Sequence, residues 1–474
     1  MSSIKKNYLY NVLYQALLVV APIITIPYLS RVLGASGIGT VSFVESIVSY
    51  FVLFANLGIN TYGQREISYA RDDVKRRSTV FYNVFLSKAT ITLIVLVLYI
   101  ICYFTIINSL IYLILSVQIF SVIFDITWFF QGMEEFKKIV LRNAIVKILS
   151  ILYIFYFVKT SNGILVYCIG LVIFPLIGYI SFWLNIFLFI NKIDFKKLSI
   201  FGVIKESLTL FLPTIAISIY TVFDKTMIGI ITKDTFENGY YEQSIKISRT
   251  LLLIITALST VVIPRVGYYF DKNDHTYVKD ILYKSYRFVF MMSIPMCLGL
   301  LFVANNFVPW FLGIGFEKSI ILVQIMSLLI VLIGLSNITG MLYFMPTKQQ
   351  HKLTISVCIG AVINFILNFI LIPKYKSIGA AIASVIAEAI ITIIQFVLAK
   401  DYISFKRILK ESYKYILSGA IMLVSLSMLM SDLPPSIINT LKIALTGTSI
   451  YFGILLLLKD EFLLSNLKLK KQDD

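Results

Sequence analysis

Fourteen stretches of this chain are long and apolar enough to cross a bilayer, and they leave almost nothing between them. A spanning helix needs about 20 mostly apolar residues. Such runs fall at 7–31, 38–63, 79–105, 109–131, 138–158, 164–190, 205–231, 240–264, 284–311, 318–345, 352–372, 377–399, 413–431 and 436–458. In lipid every backbone N–H and C=O must be satisfied within its own segment, so runs of this length dictate α-helices. The expected fold is an all-α integral membrane protein with 14 transmembrane helices. The longest gap, 265–283, spans about twenty residues, too few for a soluble domain. Function must therefore reside within the helices.

Composition agrees, with 58% hydrophobic and 14% charged residues, against roughly 25% charged in a soluble domain. The opening MSSIKK could begin a signal peptide, but the apolar stretch after it is too long for an h-region and no A-x-A-like site follows. It is read as the first span. Cys102, Cys168, Cys297 and Cys358 all lie inside apolar runs, where cysteine behaves as a small hydrophobe. They imply neither disulfide nor metal.

A net charge of +17 invites thoughts of nucleic acid until the 42 basic residues are placed. With the N-terminus inside, thirty of them fall in the inner connections and at most seven in the outer ones. This alternation is the positive-inside rule. It puts both termini in the cytoplasm and explains the charge with no nucleic-acid partner.

Nine ionisable residues lie well inside the proposed helices: Glu45, Lys88, Asp125, Lys147, Asp224, Lys225, Lys246, Arg249 and Glu388. Each costs ~2.5 to 3.5 kcal/mol to insert, so partners or water must compensate. Mutual pairing that simply holds helices together is one reading for Lys88, Asp125 and Lys147. Asp224 and Lys225, adjacent in YTVFDKTMIGII, point ~100° apart on a helix and cannot face each other. Lys246 and Arg249, at i and i+3, share a face where like charges repel unless an anion lies near. Counted from the outer ends of their runs, Glu45, Asp224, Lys225, Lys246 and Arg249 sit ~9 to 14 Å deep. Pro22, Pro27, Pro213 and Pro295 are expected to kink their helices. Asn337, Asn364 and Asn368 read as amides that join helices.

The chain also repeats itself. SRVLGASGIGTVSFVESI from Ser30 and KTMIGIITKDTFENGYYEQSI from Lys225 each pass from a basic residue through Gly34 or Gly229 to a second glycine, Gly39 or Gly239, and an acid, Glu45 or Glu242. Six spans separate the copies, so both run in the same direction, giving a parallel repeat about an axis along the membrane normal.

PYLSRVLGASGIGTVSFVESIVSYFVLFANLGINTYGQREIS, residues 27–68, resembles the opening of Wzx-type polysaccharide repeat-unit flippases, and VFDKTMIG resembles the start of that family's second lobe. The superfamily also holds the MATE drug exporters and the lipid II flippase MurJ. The resemblance implies two six-helix lobes, 1–195 and 196–400, two further helices in 401–474, and a V-shaped central cavity. The C-terminal pair is expected to lie outside the two-lobe core and form an apolar groove for a polyprenyl tail. The implied function is movement of an undecaprenyl-pyrophosphate-linked oligosaccharide from the inner to the outer leaflet of a bacterial cell membrane by alternating access. On that reading Arg31, Lys225, Lys246 and Arg249 contact the substrate, while Glu45, Asp224, Asp125 and Glu388 support or couple. No cofactor is expected; coupling to a Na+ or H+ gradient or to the membrane potential stays open. Polysaccharide polymerase and glycosyltransferases are the expected protein partners. A MATE-like cation-coupled exporter is the alternative, but it would favour an acid-dominated pocket. A membrane enzyme is disfavoured, since the outer loops are short and the two histidines, His275 and His351, fall in inner loops.

Overall fold

The computed structural model describes residues 2–107, 109–191 and 198–469, which are almost wholly helical, with no strand among them. They form two compact units, 1–229 and 230–474.

The first unit opens with α1 (Ser2–Asn56), 55 residues long. That is ~80 Å of helix, more than twice the ~30 Å hydrocarbon thickness. Its one non-helical residue is Gly34 (φ 67, ψ 176), a backbone conformation essentially reserved for glycine. The first two apolar runs thus meet at a single residue instead of a loop, while Pro22 and Pro27 lie in backbone that stays helical. Twelve helices among the described residues are long and apolar enough to cross a membrane. Taking α1 as two crossings and adding α8 (Ile200–Thr232) approximates the fourteen read from the sequence.

Two of these crossings are interrupted. After α1, Leu57 (φ 40) and Gly58 (φ 72) turn the chain into α2 (Ile59–Tyr69). α3 (Val74–Cys102) follows, capped by Asp73, which accepts the Lys75 and Arg76 N–H groups at 2.9 and 3.0 Å. α4 (Leu110–Ser121) then stops in a short 3₁₀ turn and an extended Asp125 before α5 (Thr127–Gly132) begins. α2 and α5 touch through glycines: a Cβ on Gly63 would overlap Trp128, and one on Gly132 would overlap the Gln64 carbonyl and Ile67. Phe81, Trp128, Phe129 and Phe130 fill the core beside them, and α6 (Phe136–Phe157) and α7 (Ile164–Ile186) complete the bundle. α8 packs in this unit as well. Asn83 accepts from the Ser199 N–H at 2.7 Å, Arg65 meets Glu206 at 3.4 Å, and Phe54 lies edge-on to Phe211.

The second unit runs α9 (Thr235–Asp271), α10 (His275–Leu312), α11 (Lys318–Asn337), α12 (Gln350–Tyr375), α13 (Ser377–Leu398), α14 (Phe405–Met430), α15 (Ile437–Leu457) and α16 (Glu461–Leu469). α11 runs on through a π-turn, Ile338–Phe344. Asn337 joins helices as its residue type suggests, accepting from the Ser259 hydroxyl of α9. Asn364 and Asn368 bond to each other along α12, Nδ2 of Asn368 donating to Oδ1 of Asn364 at 3.1 Å. In α10, Pro295 has no N–H to give the Met291 carbonyl. The Tyr451 hydroxyl of α15 donates to that carbonyl at 3.0 Å. Asn306 gathers the other end, donating to Leu433 and Pro434 carbonyls and accepting from the Thr440 hydroxyl at 2.7 Å. Within the second unit, α14 and α15 are therefore bonded to α10, and Leu417, Val424 and Leu445 lie exposed on their outward faces.

Candidate functional site

In the first unit the structure brings together the segments that carry Glu45 and Asp224–Lys225. The Thr226 hydroxyl donates to Ser46 Oγ at 2.8 Å and lies 3.0 Å from the Tyr50 hydroxyl, locking α8 onto the second half of α1. Asp224 is buried, Glu45 and Lys225 are half-buried, and none of the three lacks a partner. Arg31 is exposed one turn before Gly34, with Nη1 donating to the Pro27 carbonyl at 3.2 Å.

Asp125 occupies a different place, at the break between α4 and α5. Lys88, 1% exposed, donates to Asn60 Oδ1 and to the Asp125 carbonyl, both at 2.7 Å, with the Asp125 carboxylate at 3.5 Å. Oδ1 of Asp125 accepts the Thr127 N–H at 3.0 Å, starting α5. Arg142 donates to the Thr127 hydroxyl at 3.0 Å and lies 4.3 Å over the Phe182 ring. For Lys88 and Asp125 the helix-joining reading is the observed one. Asn60 and Arg142 complete this node, and the sequence reading singled out neither.

In the second unit α9 starts earlier than its apolar run. Asp234 accepts the Phe236 N–H at 3.0 Å, and this cap begins the helix at Thr235 instead of near residue 240. Lys246 and Arg249 consequently lie ~16 and ~21 Å along α9 from its capped start, whose first, polar turn precedes the apolar run from which the ~9 to 14 Å was counted. Lys246 Nζ is 2.8 Å from Glu242 Oε1, whose side chain is 5% exposed. The expected pair of like charges is thus a triad, Glu242–Lys246–Arg249, with one net positive charge. Arg249 is exposed, and among the described residues it makes no ion pair within 4 Å. Glu388 is buried on α13, one turn before Thr392, whose hydroxyl donates to the Glu388 carbonyl at 2.8 Å and the Leu332 carbonyl at 3.2 Å.

Sequence reasoning passed over Glu237. Its carboxylate takes Lys318 Nζ at 2.7 Å on both oxygens and the Ser377 N–H at 3.2 Å. The first turns of α9, α11 and α13 are clasped at one end of the unit. The signal was an acid in the first turn of a helix, which the helix dipole favours, but nothing local named its partners.

The comparisons with known proteins follow this architecture. The profile of a family described as polysaccharide biosynthesis protein matches residues 4–270. A protein of Escherichia coli (strain K12) named "Putative O-antigen transporter" is 24% identical over 420 residues, covering 84% of this chain and 97% of that one. Among solved structures, the lipid II flippase MurJ in an inward closed conformation matches 96% of this chain and 99% of its own, with a TM-score of 0.76 and 19% identity. An inward-facing multidrug resistance MATE family transporter matches 87% of this chain and 99% of its own, with a TM-score of 0.58 and 14% identity. These structural likenesses establish the fold. The family profile spans more than half of the sequence, and so the chain belongs to the polysaccharide biosynthesis protein family.

Proposed function

We propose that this protein moves an undecaprenyl-pyrophosphate-linked oligosaccharide from the inner to the outer leaflet of a bacterial cell membrane, by alternating access and with both termini in the cytoplasm. The observation that carries the reading is Arg249. Arg249 lies inside the apolar run 240–264, ~14 Å from its outer end, and an exposed guanidinium there is not stable against hydrocarbon. It requires a hydrated surface, and a hydrated cation at that depth is what a pyrophosphate needs in order to exchange water for protein. Lys225 and Arg31 supply further positive charge, and Lys246 contributes through its pair with Glu242. Glu45, Asp224, Asp125 and Glu388 are the acids through which a Na+ or H+ gradient or the membrane potential would couple. The lobes are proposed as 1–195 and 196–400, with 401–474 appended. Transfer into a surface polymer would then fall to a polymerase, and supply of the glycan to glycosyltransferases.

A MATE-like exporter of organic cations is the second reading, favoured by the structural match alone. The exposed cation on α9 argues against it.

The test is complementation of a strain lacking its own flippase. Arg249→Ala and Lys225→Ala should insert and melt close to the parent yet accumulate lipid-linked glycan and restore little surface polysaccharide. Arg249→Lys should retain part of the activity, since charge survives while the bidentate fork is lost. Full complementation by both alanine variants would place the site elsewhere.

A further inference from the structure

The turn between α9 and α10 builds a concavity that the proposed site does not use. α9 ends with Asn273 in a left-handed conformation (φ 60), the Asp274 N–H donating to the Tyr269 carbonyl and the Asn273 N–H to the Phe270 carbonyl, both at 3.0 Å. Asp274 then caps α10 by accepting the Tyr277 N–H at 3.0 Å. This tight reversal brings the Tyr277 ring to 4.1 Å from Tyr269, which lies 5.2 Å from Tyr268. Together with Pro264 and Arg265 they line a hollow of about 330 Å³. Arg265 is exposed and, among the described residues, makes no hydrogen bond or ion pair.

The order of chemistry along α9 is informative. Arg265 lies six residues, ~9 Å, from the helix end at Asp271, and the tyrosines lie beyond it. A guanidinium presents a planar fork matched to phosphate oxygens. Proline and tyrosine rings present flat apolar faces with a hydroxyl at the rim. A polyprenyl-linked glycan offers its groups in the same sequence: tail in the hydrocarbon, pyrophosphate at headgroup level, first sugar just outside. The geometry points to a docking subsite for the reducing-end sugar and its pyrophosphate, with Arg265 on the phosphate and Tyr268, Tyr269 and Tyr277 on the sugar. The subsite rests on the flippase reading above. Tyrosines at the membrane interface also anchor helices at headgroup level. Here three rings and an arginine line one hollow.

The test uses the purified full chain and native mass spectrometry with three lipids: the lipid-linked oligosaccharide extracted from the source cells, undecaprenyl pyrophosphate without sugar, and phosphatidylglycerol. The parent should prefer the glycan lipid over bare pyrophosphate, and both over phosphatidylglycerol. Joint Tyr268→Ala and Tyr277→Ala should cost about tenfold for the glycan lipid and erase its advantage. Tyr→Phe at both sites should keep most of it, and Arg265→Ala should weaken both pyrophosphate lipids alike. Should the alanine pair not fold, Tyr268→Leu with Tyr277→Leu keeps the bulk and removes the ring. An unchanged preference in the ring-less variants, or equal binding of all three lipids by the parent, overturns the subsite. A parent that flips and binds glycan lipid while its variants do the same loses the subsite alone; a parent that binds no glycan lipid loses the flippase reading with it.

Discussion

A lysine with a buried carboxylate 2.8 Å away answers to that carboxylate before it answers to any ligand. Lys246→Ala should therefore destabilise the protein by about 1 to 2 kcal/mol, less than the ~3 to 5 of a fully buried pair because the Lys246 side chain is 42% exposed. Adding Glu242→Gln to that variant should recover most of the loss in a thermal melt. A double variant no more stable than Lys246→Ala alone would mean the pair contributes nothing. The i, i+4 spacing of Glu242 and Lys246 is plain in the sequence. The burial of the carboxylate, which makes the pair obligatory, comes from packing and is not. Arg249 was legible as a cation inside an apolar run, but the start of its helix was not, because hydropathy starts a helix at its first apolar residue and the Asp234 cap starts it earlier.

The elements that the sequence hides are the broken ones. SVIFDITWFF carries no glycine or proline, so the run at 109–131 reads as one span although it is two helices joined at Asp125. The break is sustained from outside the run, by Lys88 on α3 and Asn60 on α2. Lys88→Met should leave the Asp125 carbonyl and carboxylate without their cation and cost about 3 to 5 kcal/mol. A lower melting temperature in detergent with reduced recovery is the expected result, and parental melting would refute the node. Asp125→Asn should be milder, since the amide oxygen can still accept the Thr127 N–H. Helix identity, by contrast, was almost wholly legible, because the bilayer allows one answer to a long apolar run.

At the scale of the whole molecule the charge asymmetry makes a sharp claim. In a cysteine-free background, Asn162→Cys should react with an impermeant thiol reagent in intact cells, and His351→Cys only after permeabilisation. Both positions are exposed, so the reversed pattern would invert the topology. The sequence implied lobes divided at 195/196, which stay part of the proposed architecture; the compact units 1–229 and 230–474 are a separate division, in which α8 packs with the first. Which unit a connecting helix joins is decided by side chains that touch across 170 or more positions, such as Ser46 and Thr226, and no local pattern records that. Gly34, finally, bears on how the protein is made. With one residue joining two membrane-length halves, the first crossing leaves no loop for the insertion machinery to thread to the far side. The two halves are then expected to partition into lipid together, and a longer linker at Gly34 should alter the amount of protein recovered from the membrane before it alters transport per molecule.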